Sequence, residues 1–215
     1  MTAVEALLDG GRPRADAQRN VERLVAAARA AIAEVGTGVT AHEIARRAGV
    51  GVGTFYRRVE SREALVAAVL AELIADAVAE ADRLLGSADP WTALCEFAVV
   101  FVRMRAANVA VSEAVVGQCG FAPDAALTDL RERLRLLVER AQEARAMRTD
   151  VAWQDVPFLL ASVATGTTTL GLRATGQQWE RNLRIILDGL RAPSPGPLPG
   201  RAPRSTGDSA QERQR

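Results

Sequence analysis

Apolar residues recur three and four positions apart along most of the chain, the spacing of a buried stripe on successive helices. Leu24, Ala28, Ala31, Ile32 and Val35 place the first helix over Asp16 to Val35. Two short helical segments fall between Thr40 and Val59, and Ser61 then caps a helix that runs to about Leu85. That helix would be roughly 35 Å long, enough to join one part of the molecule to another. Gly86 to Pro90 reads as a stop and a new start, with Asp89 as cap and Pro90 in the first turn of a helix reaching about Ala107. A shorter helix over Ala110 to Val116, a loop over Gly117 to Pro123, and a helix from Asp124 or Thr128 to about Ala146 follow. Asp150 to Ala174 and Gln177 to Arg191 supply the last two helices. The pattern predicts an all-α protein.

The ends of the chain break the pattern. Five of the nine prolines fall in the final 24 residues, so 192–215 is expected to be a disordered tail. Residues 1–15 are expected to be a flexible arm, in which Arg12 and Arg14 are available to a polyanion. Between them the chain divides into a head, 16–62, and a helical body, 63–191.

The most specific stretch is Thr40 to Val59. Thr40 and Glu43 have the T-x-x-E spacing of a capping box. Ile44, Ala45 and Ala48 form the apolar face of a short helix, and Arg46 and Arg47 point outward. Gly49 stands where the first helix must stop in a left-handed conformation. Val50 re-enters the core, and Gly51, Val52, Gly53 and Thr54 open a second helix with small side chains that permit close approach of its backbone. Phe55 anchors that helix, while Tyr56, Arg57 and Arg58 reach out. This is a helix-turn-helix, whose second helix enters the DNA major groove.

At these positions the chain resembles the TetR family of bacterial transcriptional regulators. The resemblance covers roughly residues 18–78: Asn20 to Ala28, Ile32-Ala33-Glu34 with Gly36, Val39-Thr40, Glu43 to Val50, Gly53 to Tyr56, and Ser61 to Leu65. It departs from the family at Arg58 and Val59, where the family often has His then Phe. Arg58 remains a phosphate donor and Val59 an apolar plug. The segment from Gly176-Gln177-Gln178-Trp179 through Asp188-Gly189-Leu190 resembles the end of an actinobacterial subgroup of the family.

Charge agrees with this division. The chain carries +1 overall, yet residues 11–62 hold ten arginines against five acidic residues. The head alone has the electrostatic footprint of a phosphate binder. Thr40, Tyr56, Arg58 and Arg62 are expected to contact phosphates, and Val52, Gly53, Thr54 and Arg57 to read bases, with Arg57 on guanine.

Other chemistries find no support. All 27 basic residues are arginine, so Gly49 to Gly53 is not a phosphate loop completed by lysine. The single histidine, His42, lies in the helix-turn-helix, and no G-x-S-x-G elbow or His/Cys/carboxylate cluster with metal spacing occurs. No enzyme, cofactor or metal is expected. No apolar run approaches the roughly 18 residues of a membrane helix, and the N-terminus lacks a signal core, so the cytoplasm is the expected location. Cys95 and Cys119 read as reduced structural thiols, with a redox-sensing pair as the alternative.

The resemblance implies a homodimer that binds double-stranded operator DNA and a small-molecule effector held in the body. An effector would shift the long fourth helix, change the separation of the two reading heads and favour the DNA-free state. Phe97, Phe101, Met104, Phe158, Ser162, Thr165 and Thr169 lie at helical spacing and are candidates for the effector site, core packing being the alternative. Ala161, Ala164, Gly166, Thr168 and Gly171 permit close helix approach, and Trp179, Leu183, Ile186 and Leu190 form the stripe expected at a dimer interface. The alternative function is a DNA-binding regulator not controlled by a small molecule.

Overall fold

The computed structural model describes residues 3–7, 15–107, 124–163, 168–192, 196, 198–200 and 202–203. The expected helix over Ala110 to Val116, the loop to Pro123, Arg12, Arg14, Cys119 and most of the C-terminal tail lie outside the described residues. The elements are α1 (Ala3–Leu7), α2 (Ala15–Val35), a single 3-10 turn (Gly36–Gly38), α3 (Ala41–Ala48), α4 (Val52–Arg58), α5 (Arg62–Leu85) and α6 (Pro90–Ala107). After these come α7 (Asp124–Glu143), α8 (Asp155–Ser162), the strands β1 (Thr168–Thr169) and β2 (Leu172–Arg173), and α9 (Gln178–Leu190). The chain forms two units, Met1–Ala79 with Arg103–Leu130, and Glu80–Val102 with Arg131–Arg215.

In the first unit, Val21, Leu24, Ala28 and Ile32 of α2 are buried with Ile44 and Ala45 of α3, Phe55 of α4, Val59, and Leu65, Val69 and Leu70 of α5. Phe55 is completely buried, which for an aromatic side chain stabilises by about 1.5–3 kcal/mol relative to exposure. The expected arm is partly ordered. Val4 and Leu7 of α1 pack on this core, and the Ala3 amide donates to Glu72 Oε2 at 3.2 Å. Glu72 is held in turn by Arg29 at 2.7 Å. Two apolar residues three positions apart suffice to seat a short helix on an existing core.

The second unit buries Trp91, Leu94, Phe97 and Phe101 of α6, Leu134, Leu137 and Val138 of α7, and Leu183, Leu187 and Leu190 of α9. The caps expected around α5 and α6 are present. The Ala64 amide donates to Ser61 Oγ at 3.0 Å, and the Trp91 and Thr92 amides donate to Asp89 Oδ1 at 3.0 and 3.2 Å. Arg140 donates to the carbonyls of Leu85 and Ser87, closing the C-terminal end of α5.

Three expected boundaries are corrected. The helix beginning at Asp124 ends at Glu143 rather than about Ala146, because Arg145 takes φ 55° and the Ala146 amide bonds back to the Ala141 carbonyl. Among the described residues, the expected helix over Asp150 to Ala174 is helical over Asp155–Ser162. Ahead of it, residues 150–154 form turns, and before them Met147 pairs with Arg191 and the Arg148 amide donates to the Leu190 carbonyl. Beyond it, Thr168 pairs with Arg173 and Thr169 with Leu172 in a small antiparallel hairpin. Its turn residues Leu170 and Gly171 both have positive φ, 51° and 76°, the primed geometry of tight hairpins. The β-branched threonines lower helix propensity only slightly, and the pairing of the two strands completes the switch. The tail also begins with a fixed contact: Arg148 Nη2 donates to the Gly196 carbonyl at 2.7 Å.

Candidate nucleic-acid interface

Thr40 is the N-cap of α3, and its Oγ1 accepts from the Glu43 amide at 3.2 Å. The Glu43 carboxylate is gripped by Arg46 at 2.7 Å and Arg47 at 2.7 Å, and Arg47 also reaches Glu34 at 2.8 Å. Hydrogen bonds from Arg46 and then Arg47 pull the Glu43 carboxyl down from its usual 4.5 to about 2. The two outward arginines of α3 are thus partly neutralised by acids within the head.

Gly49 ends α3 with φ 64°, and the Gly49 and Val50 amides donate to the carbonyls of Arg46 and Ala45 at 3.1 and 3.0 Å. These are the two bonds of a Schellman closure. A methyl group at Gly49 would lie 2.6 Å from Arg23 Nη2, which itself donates to the Gly49 carbonyl at 3.4 Å. Glycine is therefore favoured by conformation, while the Arg23 guanidinium, the end of a flexible side chain, would have to shift for any larger residue. Arg23, on α2, was not singled out by the sequence: its partner lies 26 positions away, beyond any local motif.

Past the turn, Gly51 caps α4, its carbonyl accepting from Thr54 and Phe55 at 2.8 and 3.1 Å. Phe55 enters the core, and the exposed Tyr56 ring meets it edge-on at 5.1 Å. Arg57 is exposed and its Nη2 donates to Thr54 Oγ1 at 3.2 Å. Gly53 is exposed as well, and a methyl group built there would meet nothing within 4 Å. The half-buried Arg58 has a buried Nε without a hydrogen-bond partner.

Two expected DNA contacts also have partners within the chain. Val52 is half-buried and packs on the core. Arg62 is engaged within the chain: Nη1 donates to the Thr37 and Val39 carbonyls at 2.6 and 3.0 Å, and Nη2 lies 2.8 Å from Glu63 Oε1. Thr40, Gly53, Thr54, Tyr56, Arg57 and Arg58 remain as the candidate surface. This is a glycine-opened helix with a basic last turn, anchored behind by one phenylalanine.

Residues 24–69 match the model for bacterial regulatory proteins of the tetR family, and residues 89–192 match that for the SbtR-like transcriptional regulator C-terminal domain. A TetR transcription regulatory protein from Mycobacterium vanbaalenii is 36% identical, over 83% of this chain and 99% of that one, with a TM-score of 0.55. The chain belongs to the TetR family. A TetR transcriptional regulator of Streptomyces coelicolor is 28% identical, over 80% of this chain and 99% of that one, at TM-score 0.56. The structure of RolR in complex with resorcinol shares the fold at 18% identity, covering 86% of this chain and 97% of that one, at TM-score 0.54. No curated protein matches. As a TetR-family protein the chain is a DNA-binding transcriptional regulator and not an enzyme.

The body residues expected in an effector site lie in different surroundings within each unit. Phe97 and Phe101 are buried in the second unit with ring centroids 6.4 Å apart. Met104 packs instead on the core of the first unit. Phe158 is 66% exposed, so within this chain it is no cavity wall. Ser162 is exposed and donates to the Leu159 carbonyl at 2.7 Å. Thr169 belongs to β1, and Thr165 lies outside the described residues. Burial pushes the Cys95 thiol up to about 11, which keeps it protonated and unreactive at neutral pH.

The expected dimer stripe is also divided. Leu183 and Leu190 are buried in the chain's own interior with Leu187. Trp179, Ile186 and Ala161 are half-buried and Thr168 is exposed in β1; Ala164 and Gly166 lie outside the described residues. Ile185, at 69% exposure, marks the outer side of α9, and Leu170 and Leu172 of the hairpin are 96% and 74% exposed.

Proposed function

We propose that this TetR regulator is a ligand-responsive repressor that binds a palindromic operator as a homodimer. Each protomer places α4 in the major groove, with Arg57 and Thr54 reading bases beside the bare backbone of Gly53. Thr40, Tyr56 and Arg58 hold phosphates, and the amides at the helix starts add dipole-assisted contacts. The observation that supports this reading most is Gly53. It is exposed in the first turn of a helix, and the space around it is open. Glycine there lowers helix stability without any internal packing need, so the missing side chain serves an outside surface at close range.

The second protomer is proposed to meet the outer sides of α8, α9 and the hairpin. Phe158, Leu170, Leu172 and Ile185 are large apolar groups exposed there in the single chain, with Ala161, Thr168, Trp179 and Ile186 as further candidates. Proposed effector contacts come from the aromatic interior at Phe97 and Phe101. A second reading, a regulator without a small-molecule effector, is favoured by the packing of those two rings against each other.

Genomic selection of bound DNA fragments tests the first reading. An inverted repeat with half-sites one helical turn or a multiple apart supports it, and binding without sequence preference overturns it. Release of the selected operator by members of a small-molecule panel separates the effector-controlled reading from the second.

A further inference from the structure

Arg62 occupies the first helical position of α5, where a cation meets the positive end of the helix dipole. That placement is electrostatically unfavourable, and three acceptors offset it. Nη1 donates to the Thr37 carbonyl at 2.6 Å and to the Val39 carbonyl at 3.0 Å. Nε donates to Glu63 Oε1 at 2.9 Å. Thr37 and Val39 are the residues just ahead of Thr40, which caps α3. The Arg62 side chain is only 24% exposed. One guanidinium therefore ties the start of α5 to the entrance of the helix-turn-helix, across 25 and 23 positions of sequence.

We propose that Arg62 is a positioning residue that sets the pose of α3 and α4 for DNA and is not a phosphate ligand. The proposal rests on the DNA-binding function of the preceding section. The fork geometry matters. A guanidinium serves two carbonyls and a carboxylate together, whereas an ammonium is a compact point charge that still binds phosphate but cannot span the same three acceptors. Helix α5 begins at Arg62, so any displacement of its first turn is passed directly to the residues that lead into α3.

The test compares wild type, Arg62→Lys and Arg62→Ala in the full chain, with circular dichroism to confirm folding. Binding to the selected operator and to an unrelated duplex is titrated across salt concentration, well below the melting temperature. Amide exchange is followed over α2 and α3. A positioning role predicts that both variants lose about tenfold or more on the operator, a difference of about 1.4 kcal/mol. Affinity for the unrelated duplex and the salt slope stay unchanged, and the first-turn amides of α3 (Glu43 and Ile44) exchange faster while those of α2 do not. A phosphate role predicts the reverse: Arg62→Lys retains binding, and Arg62→Ala weakens both duplexes and flattens the slope by about 0.9. That result overturns the proposal. So does a lowered melting temperature with unchanged operator binding, which would make Arg62 merely structural. Wild type without operator preference would overturn the DNA reading itself, and amide exchange would still decide whether Arg62 clamps α3.

Discussion

Arg57 and Thr54 are joined on α4, Arg57 Nη2 donating to Thr54 Oγ1 at 3.2 Å. The bond holds a long cationic side chain against a helix whose opposite side is fixed by Phe55. Ordering the guanidinium before DNA arrives lowers the entropy lost on binding. Arg57→Ala is expected to cost about 1–3 kcal/mol on the operator and to relax preference at one base pair per half-site. Thr54→Val keeps the shape and removes the hydroxyl acceptor, and should produce a smaller loss at the same base pair. Competition binding with single-base operator variants reads both effects. A uniform loss at every base would make Arg57 a backbone contact.

Gly53 offers a test in which stability and binding move in opposite directions. A methyl group there meets nothing within 4 Å, so Gly53→Ala should stabilise the fold by up to about 1 kcal/mol through reduced freedom of the unfolded chain. If α4 lies close to DNA at this position, the same methyl group collides with the duplex. Thermal unfolding and operator titration of one preparation provide the check. A variant that is more stable and binds normally would place Gly53 away from the groove.

The Glu43 carboxyl, lowered from 4.5 to about 2 by Arg46 and Arg47, links head stability to pH. The unfolded chain takes up the proton first as pH falls, so the stabilisation is fully present above about pH 5. It declines below the unfolded value and is gone once pH drops through about 2. Acid unfolding of wild type and Glu43→Gln should therefore differ by a constant amount near neutrality and converge in strong acid. The carboxylate is solvent-exposed, so added salt should narrow the difference. A gap that stays the same down to the lowest pH would exclude this ion pair as its origin.

The head was legible because its signals are local. Thr40 lies three residues before Glu43, Gly49 ends a short apolar run, and Ser61 and Asp89 stand directly before the helices they cap. Arg62 illustrates the opposite case: beside the helix-turn-helix it reads as a phosphate donor, and its bonds to the carbonyls of Thr37 and Val39, 25 and 23 positions away, leave no local signal. In α9, apolar residues lie on more than one side, with Ile185 and Ile186 adjacent to Leu183 and Leu187. A small rotation about the helix axis decides which of them faces inward, and sequence spacing does not encode that rotation. The hairpin was hidden by a different effect. Helix propensity in Ala161 to Ala174 is only marginally unfavourable, and pairing between Thr168 and Arg173 decides the outcome.

Leu183 and Ile185 now separate fold from assembly. Leu183 is 3% exposed and Ile185 69% exposed on the same helix. Leu183→Ala should destabilise the single chain by about 2–5 kcal/mol, because it leaves a cavity in the second unit. Ile185→Glu should leave the melting of isolated chains nearly unchanged while weakening self-association, since a symmetric interface would carry the charge twice. Sedimentation across a range of protein concentrations measures the second effect. A dimer of unaltered strength would move the interface away from this side of α9.

The start of the C-terminal tail carries the last prediction. Arg148 is 8% exposed, a buried charge that needs full pairing. Its Nε and Nη2 hold Asp150 at 2.7 Å each, and Nη2 also holds the Gly196 carbonyl at 2.7 Å. Next to it, the Ala192 amide donates to the Ala146 carbonyl at 3.2 Å. By composition, everything after Arg191 should be dispensable. The contacts divide it: a stop after position 203 keeps both bonds and should melt like the intact chain. A stop after Arg191 removes both and leaves a buried guanidinium short of one acceptor, a loss on the order of 1–3 kcal/mol. Arg148→Gln in the intact chain should reproduce much of that loss and narrow the gap between the two truncations to the share of the Ala192 bond. Equal melting of the two truncations on the wild-type background would mean that the Gly196 contact contributes nothing, and that the tail is free from its first residue.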